Sequence, residues 1–193
     1  MTVGVLAFQG DFQRHYELLL SMGIHVRYVR RRDEIEAVDA LVIPGGESTT
    51  IGKLLERFDL MQLLRDRISD GMPVFGTCAG AILLAKQIEG SDQERIGTMD
   101  ISVSRNAYGS QIESFEADVS VEILAGEPIR GVFIRAPVIR STGDGVDVMG
   151  TFEGHPVVAR QGNMLVATFH PELAGDTRLH AYFASTAGRV VAG

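Results

Sequence analysis

Three short stretches of this chain carry the residue types that organic catalysis uses. Gly76-Thr77-Cys78-Ala79-Gly80 follows an apolar run and precedes a helical one. That is the G-x-nucleophile-x-G arrangement of a tight strand-to-helix turn, with sulfur where a serine oxygen would stand. A free thiol titrates at about 8.5, but a helix N-terminus favours the thiolate and a nearby imidazole can accept the proton. Taken alone, Cys78 fits equally well as a small buried hydrophobe, the usual fate of a free cysteine. His170-Pro171-Glu172 closes the apolar run Leu165 to Phe169. In an extended chain residues i and i+2 share a face, so imidazole and carboxylate can lie side by side as a base with its orienting group. A cysteine elbow and a strand-end His-x-Glu in one chain point together to nucleophilic catalysis by Cys78, His170 and Glu172.

The third stretch, Pro44-Gly45-Gly46-Glu47-Ser48, lies between an apolar run and a helix start, where glycines let backbone N–H groups face a ligand or an oxyanion. Gly52-Lys53 follows, but a phosphate loop needs glycine five residues before Gly52 and Ser or Thr after the lysine. Glu47 and Leu54 occupy those positions, which excludes it.

These stretches need a scaffold, and the patterning supplies one. Val3 to Phe8 reads as a strand, Phe12 to Met22 as an amphipathic helix closed by Gly23, and His25 to Val29 as a second strand. Arg30-Arg31-Arg32, followed at once by Asp33 and Glu34, reads as a solvated helix start and not as a nucleic-acid patch. Ala40 to Ile43 is a third strand, with helices opening at Ser48 or Thr49 and spanning Met61 to Ser69. Val74 to Gly76 is a fourth, running into a helix over Ala79 to Ile88. Strands separated by helices imply a parallel sheet covered on both faces. Beyond about residue 98 the texture turns to strands: Ile101 to Ser104, Phe115 to Val121, Val132 to Ile134, Val146 to Phe152, Val157 to Arg160 and Leu165 to Phe169. Thr177 to Ser185 reads as helix, and Thr186 to Gly193 as a weakly helical tail. The expected fold is therefore α/β, a doubly wound, mostly parallel sheet with antiparallel additions in the second half.

The length of 193 residues suits one domain, expected over 1–193. Eighteen Lys+Arg against 25 Asp+Glu give a net charge of -7, which argues against a nucleic-acid partner, since phosphate binding needs a basic surface. A small molecule or a protein fits better. Met1 to Asp11 has no basic leader pattern, and no apolar stretch approaches the ~20 residues of a membrane span, so a cytoplasmic protein away from membranes is expected. One cysteine and five scattered histidines lack zinc-site spacing, and no metal is expected.

The elbow, the run Pro44 to Thr50 and Phe169-His170-Pro171-Glu172 together resemble the class I, triad-type glutamine amidotransferases, whose fold is flavodoxin/Rossmann-like. Further stretches narrow the resemblance to the glutaminase subunits of two-component pyridoxal 5'-phosphate synthases. These are Gly4 to Gly10, Arg105-Asn106-Ala107-Tyr108-Gly109-Ser110-Gln111 with Ser114-Phe115, and Phe133-Ile134-Arg135-Ala136-Pro137. The resemblance covers residues 3 to about 185. It implies hydrolysis of L-glutamine to L-glutamate and ammonia by a Cys78-His170-Glu172 triad, with backbone N–H groups at Gly46 and Ala79 holding the oxyanion. It places glutamine on Gly46, Glu47, Ser48, Arg105, Ile134 and Arg135. A free amino acid presents an ammonium that wants a carboxylate and a carboxylate that wants a guanidinium or backbone N–H. Either arginine suits the carboxylate, and Ile134 is expected in the core, contributing backbone alone.

The implied partner is a (β/α)8-barrel synthase subunit that receives the ammonia; no cofactor is implied. Gln9 resembles a family glutamine beside the oxyanion loop, whereas Phe8 and Arg14 depart from the leucine and acidic residue of the pattern at the partner-facing edge. Two other classes compete. A cysteine peptidase of the same elbow fold would act on another carbonyl, though the Gly46-Glu47-Ser48 loop with two arginines favours a small amino acid. A non-catalytic binding subunit would keep the fold and lose the triad, and all three members are present.

Overall fold

A computed structural model of the chain describes residues 1–105 and 114–192, with side chains through 190. In chain order the elements are β1 (Thr2–Leu6), α1 (Phe12–Ser21), β2 (His25–Val29), α2 (Arg32–Glu36), β3 (Ala40–Ile43), α3 (Ser48–Arg57), α4 (Met61–Ser69), β4 (Val74–Thr77) and α5 (Ala79–Leu84). Eight strands follow, β5 (Ala85–Ile88), β6 (Met99–Ser104), β7 (Ser114–Val119), β8 (Ile129–Ile134), β9 (Val138–Thr142), β10 (Asp147–Phe152), β11 (His155–Gln161) and β12 (Met164–Ala167). A 3-10 turn at Pro171–Leu173 and α6 (Arg178–Ala192) end the chain.

The central sheet has the order β10-β11-β12-β4-β3-β1-β2. Neighbours from β2 to β12 pair in parallel, and β11 and β10 add antiparallel at one edge. Alternation along each strand sends side chains to opposite faces. Leu41 and Ile43 of β3, Val74 of β4 and Val166 of β12 pack with α3, α4 and α5 on one face. Ala40 and Val42, Phe75, and Leu165 and Ala167 pack with α1 and α6 on the other. The buried run on every central strand is therefore a consequence of a sheet covered twice. The strand order reverses between β1 and β3, and crevices outside the carboxyl ends at such a reversal are where open α/β sheets take ligands.

The expected doubly wound architecture is present, with local differences. The helix read over Ala79 to Ile88 stops at Leu84. Ala85 turns to extended backbone, and Ala85 to Ile88 pairs in parallel with β6, so tertiary pairing overrides a locally helical run. β6 also pairs with β9, a strand the pattern did not announce, and β7 pairs with β8 in a separate two-stranded ribbon. The strand read to Phe169 ends at Ala167, and that read from Phe115 to Val121 ends at Val119, with Val121 bridging to Gly150. The helix read to Ser185 continues through the weakly helical tail to Ala192. The arginine triplet opens α2 as expected, and Arg31 is answered locally by Glu34, 2.8 Å away. Among the described residues no helix is long and apolar enough to cross a membrane.

Candidate active site

The carboxyl ends of β1, β3, β4 and β12 meet in one crevice, and the sequence-selected residues gather there. β4 ends at Thr77 and α5 begins at Ala79, so Cys78 alone makes the turn. It does so at φ 46, a left-handed conformation that costs a non-glycine residue about 1–3 kcal/mol and persists only where the surroundings enforce it. Two hydrogen bonds do so: the Cys78 amide donates to Ala167 O at 2.9 Å, and the Ile82 amide donates to Cys78 O at 3.2 Å. Close packing adds to this, since a Cβ on Gly80 would lie 2.1 Å from Ile43 O. The elbow thus requires glycine at position 80, as its spacing suggested. The buried thiol donates to the carbonyl of Ile134 at 3.7 Å.

His170 and Glu172 are buried behind the sulfur. They meet through a 2.7 Å hydrogen bond from Nδ1 to Oε1, but not as neighbours on an extended strand. β12 has already ended, Glu172 sits in the 3-10 turn opened by Pro171, and the His170 amide is held by Val132 O at 2.8 Å. Burial alone would lower the His170 pKa. Its interactions with the Cys78 sulfur and with Glu172 outweigh this and raise it from 6.5 to about 10. For Glu172 burial pushes the pKa up. Its contacts with His15, then with His170, outweigh that and hold the carboxyl well below 4.5. The geometry is a thiol, an imidazole inclined to carry a proton, and an ionised carboxylate.

The ring of His170 lies against the backbone of Gly45, where an added Cβ would come 2.3 Å from Cε1. Gly45→Ala should therefore push the imidazole out of line without disturbing the sheet. A displacement of about 1 Å costs roughly 10²-fold in rate. Steady-state turnover together with a thermal melt checks this: turnover should drop by that order while the melt stays close to that of the parent protein.

A cavity of about 190 Å³ opens over the sulfur, below the roughly 300 Å³ at which drug-sized pockets begin and suited to a small metabolite. Gly46, Glu47 and Ser48 line one side, Ile134 and Arg135 another, and Arg105 a third, with Asp11 and Ile82 completing the wall. Together with Cys78 and His170, all of the sequence-selected residues stand on this wall except Glu172 and Ala79. Glu172 lies behind the His170 ring, and Ala79 opens α5 beside Cys78, at a helix start where backbone N–H groups lack intrahelical partners. Ile134 departs from its expected place in the core: the residue is 38% exposed, and its carbonyl meets the thiol. Arg135 holds φ 45. Glu47 caps α3, accepting from the Thr50 amide at 3.1 Å, and its own amide donates to Gln9 Oε1 at 2.7 Å. Asn106 to Gln111, which follow Arg105 in its motif, lie outside the described residues.

Sequence reasoning missed Gln93, whose Oε1 accepts from Ser48 Oγ and Thr49 Oγ1, each at 3.2 Å, and from Arg105 Nη1. It ties the α3 start to the arginine, and no motif surrounds it. Among the described residues Asp11, His170 and Glu172 form the one grouping of three possible metal donors. His170 Nδ1 and Glu172 Oε1 are engaged with each other, so a cation would have to break the hydrogen bond that orients the imidazole.

The sequence pattern of the SNO glutamine amidotransferase family matches residues 5–188. The chain is 54% identical over 183 residues to pyridoxal 5'-phosphate synthase subunit PdxT of Carboxydothermus hydrogenoformans, covering 95% of this chain and 96% of that protein. It is 52% identical over 188 residues to the protein of the same name from Thermus thermophilus, covering 96% and 97%. Among solved structures, one described as a glutamine amidotransferase superposes with a TM-score of 0.92 at 50% identity, over 96% of this chain and 98% of that one. The structure of PurLQS from Thermotoga maritima shares the fold, with a TM-score of 0.64 at 15% identity, over 98% of this chain and 96% of that one.

Proposed function

The chain belongs to the SNO glutamine amidotransferase family, and from that premise we propose that it hydrolyses L-glutamine with a Cys78-His170-Glu172 triad and passes the ammonia to a pyridoxal 5'-phosphate synthase subunit. The observation that carries the reading is the joining of a strained cysteine elbow to a buried imidazole-carboxylate pair, under a cleft lined by both signs of charge.

The chemistry follows from the geometry. With the imidazole inclined to hold a proton beside the sulfur, the thiolate attacks the side-chain amide carbon and the carbonyl oxygen becomes an oxyanion. Backbone N–H groups at Gly46 and Ala79 are the proposed donors to it, each worth about 10²–10³ in rate. Collapse breaks the C–N bond as the imidazolium gives its proton to the departing nitrogen, leaving a thioester and ammonia. The neutral imidazole then takes a proton from water, whose oxygen attacks the thioester and releases glutamate and the thiolate. Glu172, ionised throughout, keeps the imidazole oriented and stabilises its charged form. Glu47 is the proposed partner of the substrate ammonium, with Ser48 and the Ile134 and Arg135 backbone beside it, and Arg105 or Arg135 pairs with its carboxylate.

Ammonia released to bulk water would be protonated and lost as a nucleophile, which is why the reading includes a docked synthase, a (β/α)8 barrel in the resembled family. Gln9 reaches across to the Glu47 amide, and a Cβ on Gly10 would lie 1.8 Å from Gly45 O, so the loop after β1 grips the proposed oxyanion loop. A partner that moves the first loop thereby moves the second. Glutamate release should be slow for the isolated chain and rise about 10²–10³-fold with the synthase, one oxyanion donor's worth. A Gln9→Ala variant should still bind the synthase, by sedimentation, and lose the stimulation. Full activity in the isolated chain contradicts this coupling, and glutamine left intact in the mixture contradicts the glutaminase reading.

A further inference from the structure

Behind the triad lies a pair of histidines that the chemistry above does not use. His15 on α1 and His180 on α6 are both completely buried, and their rings bond Nδ1 to Nε2 at 2.8 Å. The other nitrogen of His15, Nε2, lies 3.3 Å from Glu172 Oε2 and 3.1 Å from the Thr77 hydroxyl. Glu172 thus has one oxygen against His170 Nδ1 and the other against His15 Nε2, with neither His15 nor His180 exposed at the surface.

Proton counting fixes the direction of these contacts. An ionised carboxylate only accepts, so an attractive contact with it requires the proton on His15 Nε2, shared between Oε2 and the Thr77 oxygen. His180 Nδ1 is buried with no hydrogen-bond partner. Unpaired in either form, it does not choose the tautomer; the 2.8 Å contact does, since a neutral His15 whose one proton is on Nε2 has a bare Nδ1, to which His180 must donate from its own Nε2. Burial, the largest influence, lowers the His180 pKa to about 3, in keeping with a neutral ring.

We propose that His15, held in its Nε2–H tautomer by His180, is a positioning residue that clamps the second oxygen of Glu172 and keeps this buried carboxylate ionised and aimed at His170. The inference rests on the triad reading. The groups facing Glu172 are His170 from the strand end and His15 from α1, with Thr77 from the elbow bonded to His15 and His180 from α6 behind it. Cys78, and Asp11 at 3.8 Å from His170 Nδ1, act on it through His170, and Asp176 acts through His180. Oε2 is buried without a well-aligned hydrogen bond, so the His15 contact at 3.3 Å is what offsets its desolvation.

Removing that donor should let burial raise the Glu172 pKa. Leaving a buried, charged acceptor without the donor that faces it corresponds to about one to two pH units. His15→Leu, assayed as the complex with the synthase, should move the acid limb of the kcat profile upward by about that much. KM for glutamine should stay within about twofold, and His15→Gln, whose amide can donate from a similar position, should move the limb back. In the unsubstituted protein, long-range 15N NMR should show His15 protonated at Nε2 at neutral pH. That measurement needs no activity and covers a leucine variant that fails to fold. A His15 protonated only on Nδ1, an acid limb unmoved in a folded His15→Leu protein, or a shifted limb not restored by glutamine would each overturn the proposal. An inactive complex in which His15 still carries Nε2–H would instead overturn the glutaminase reading alone.

Discussion

Cys78→Ser will abolish glutamine hydrolysis, with turnover falling at least about 10³-fold, while the protein stays folded. Serine is nearly isosteric with cysteine, and both bonds that hold the elbow at φ 46 are backbone bonds, so the turn survives the exchange. What is lost is acidity: a hydroxyl is far less readily ionised than a thiol, and the imidazole behind it is arranged to pair with a thiolate. Glutamate release and a thermal melt together check the outcome. Surviving turnover would move the nucleophile elsewhere, although position 78 holds the chain's one cysteine.

His170→Asn will cost about 10²–10⁴ in kcat with little change in KM, because it removes the proton carrier and leaves the Gly46 to Ser48 wall intact. Glu172→Gln will be milder. The amide oxygen still accepts from His170 Nδ1, but the charge that supports an imidazolium is gone, and the amide must also face His15 Nε2. The two variants are separated by full kcat and KM determinations on the synthase complex. A large rise in KM at unchanged kcat would place both residues in substrate binding instead.

The parts of the site that are legible in the sequence are those whose chemistry is local. Gly76 to Gly80 shows its elbow because glycine at 80 is demanded by the approach of Ile43 O, and the turn is specified within five residues. His170 and Glu172 do come together, but by a different local route: Pro171 starts a turn where the pattern suggests an extended strand. The second sheet is hidden because Ala79 to Ile88 is apolar along most of its length, and only pairing with Met99 and its neighbours tells where helix gives way to strand. β9 mixes two buried residues with exposed ones and has no alternation to reveal it. His15 and His180 stand 165 residues apart on two helices, and Gln93 lies 45 residues from Ser48. Each is a single polar residue with no motif around it, so only the folded sheet brings it to the site.

The most direct test of the central claim is covalent capture by an electrophilic glutamine analogue, read by intact mass and peptide mapping on the synthase complex. One adduct per chain is expected on Cys78, slowed by free glutamine and absent in Cys78→Ser. An adduct on another residue, labelling indifferent to glutamine, or labelling that persists in the serine variant would contradict it.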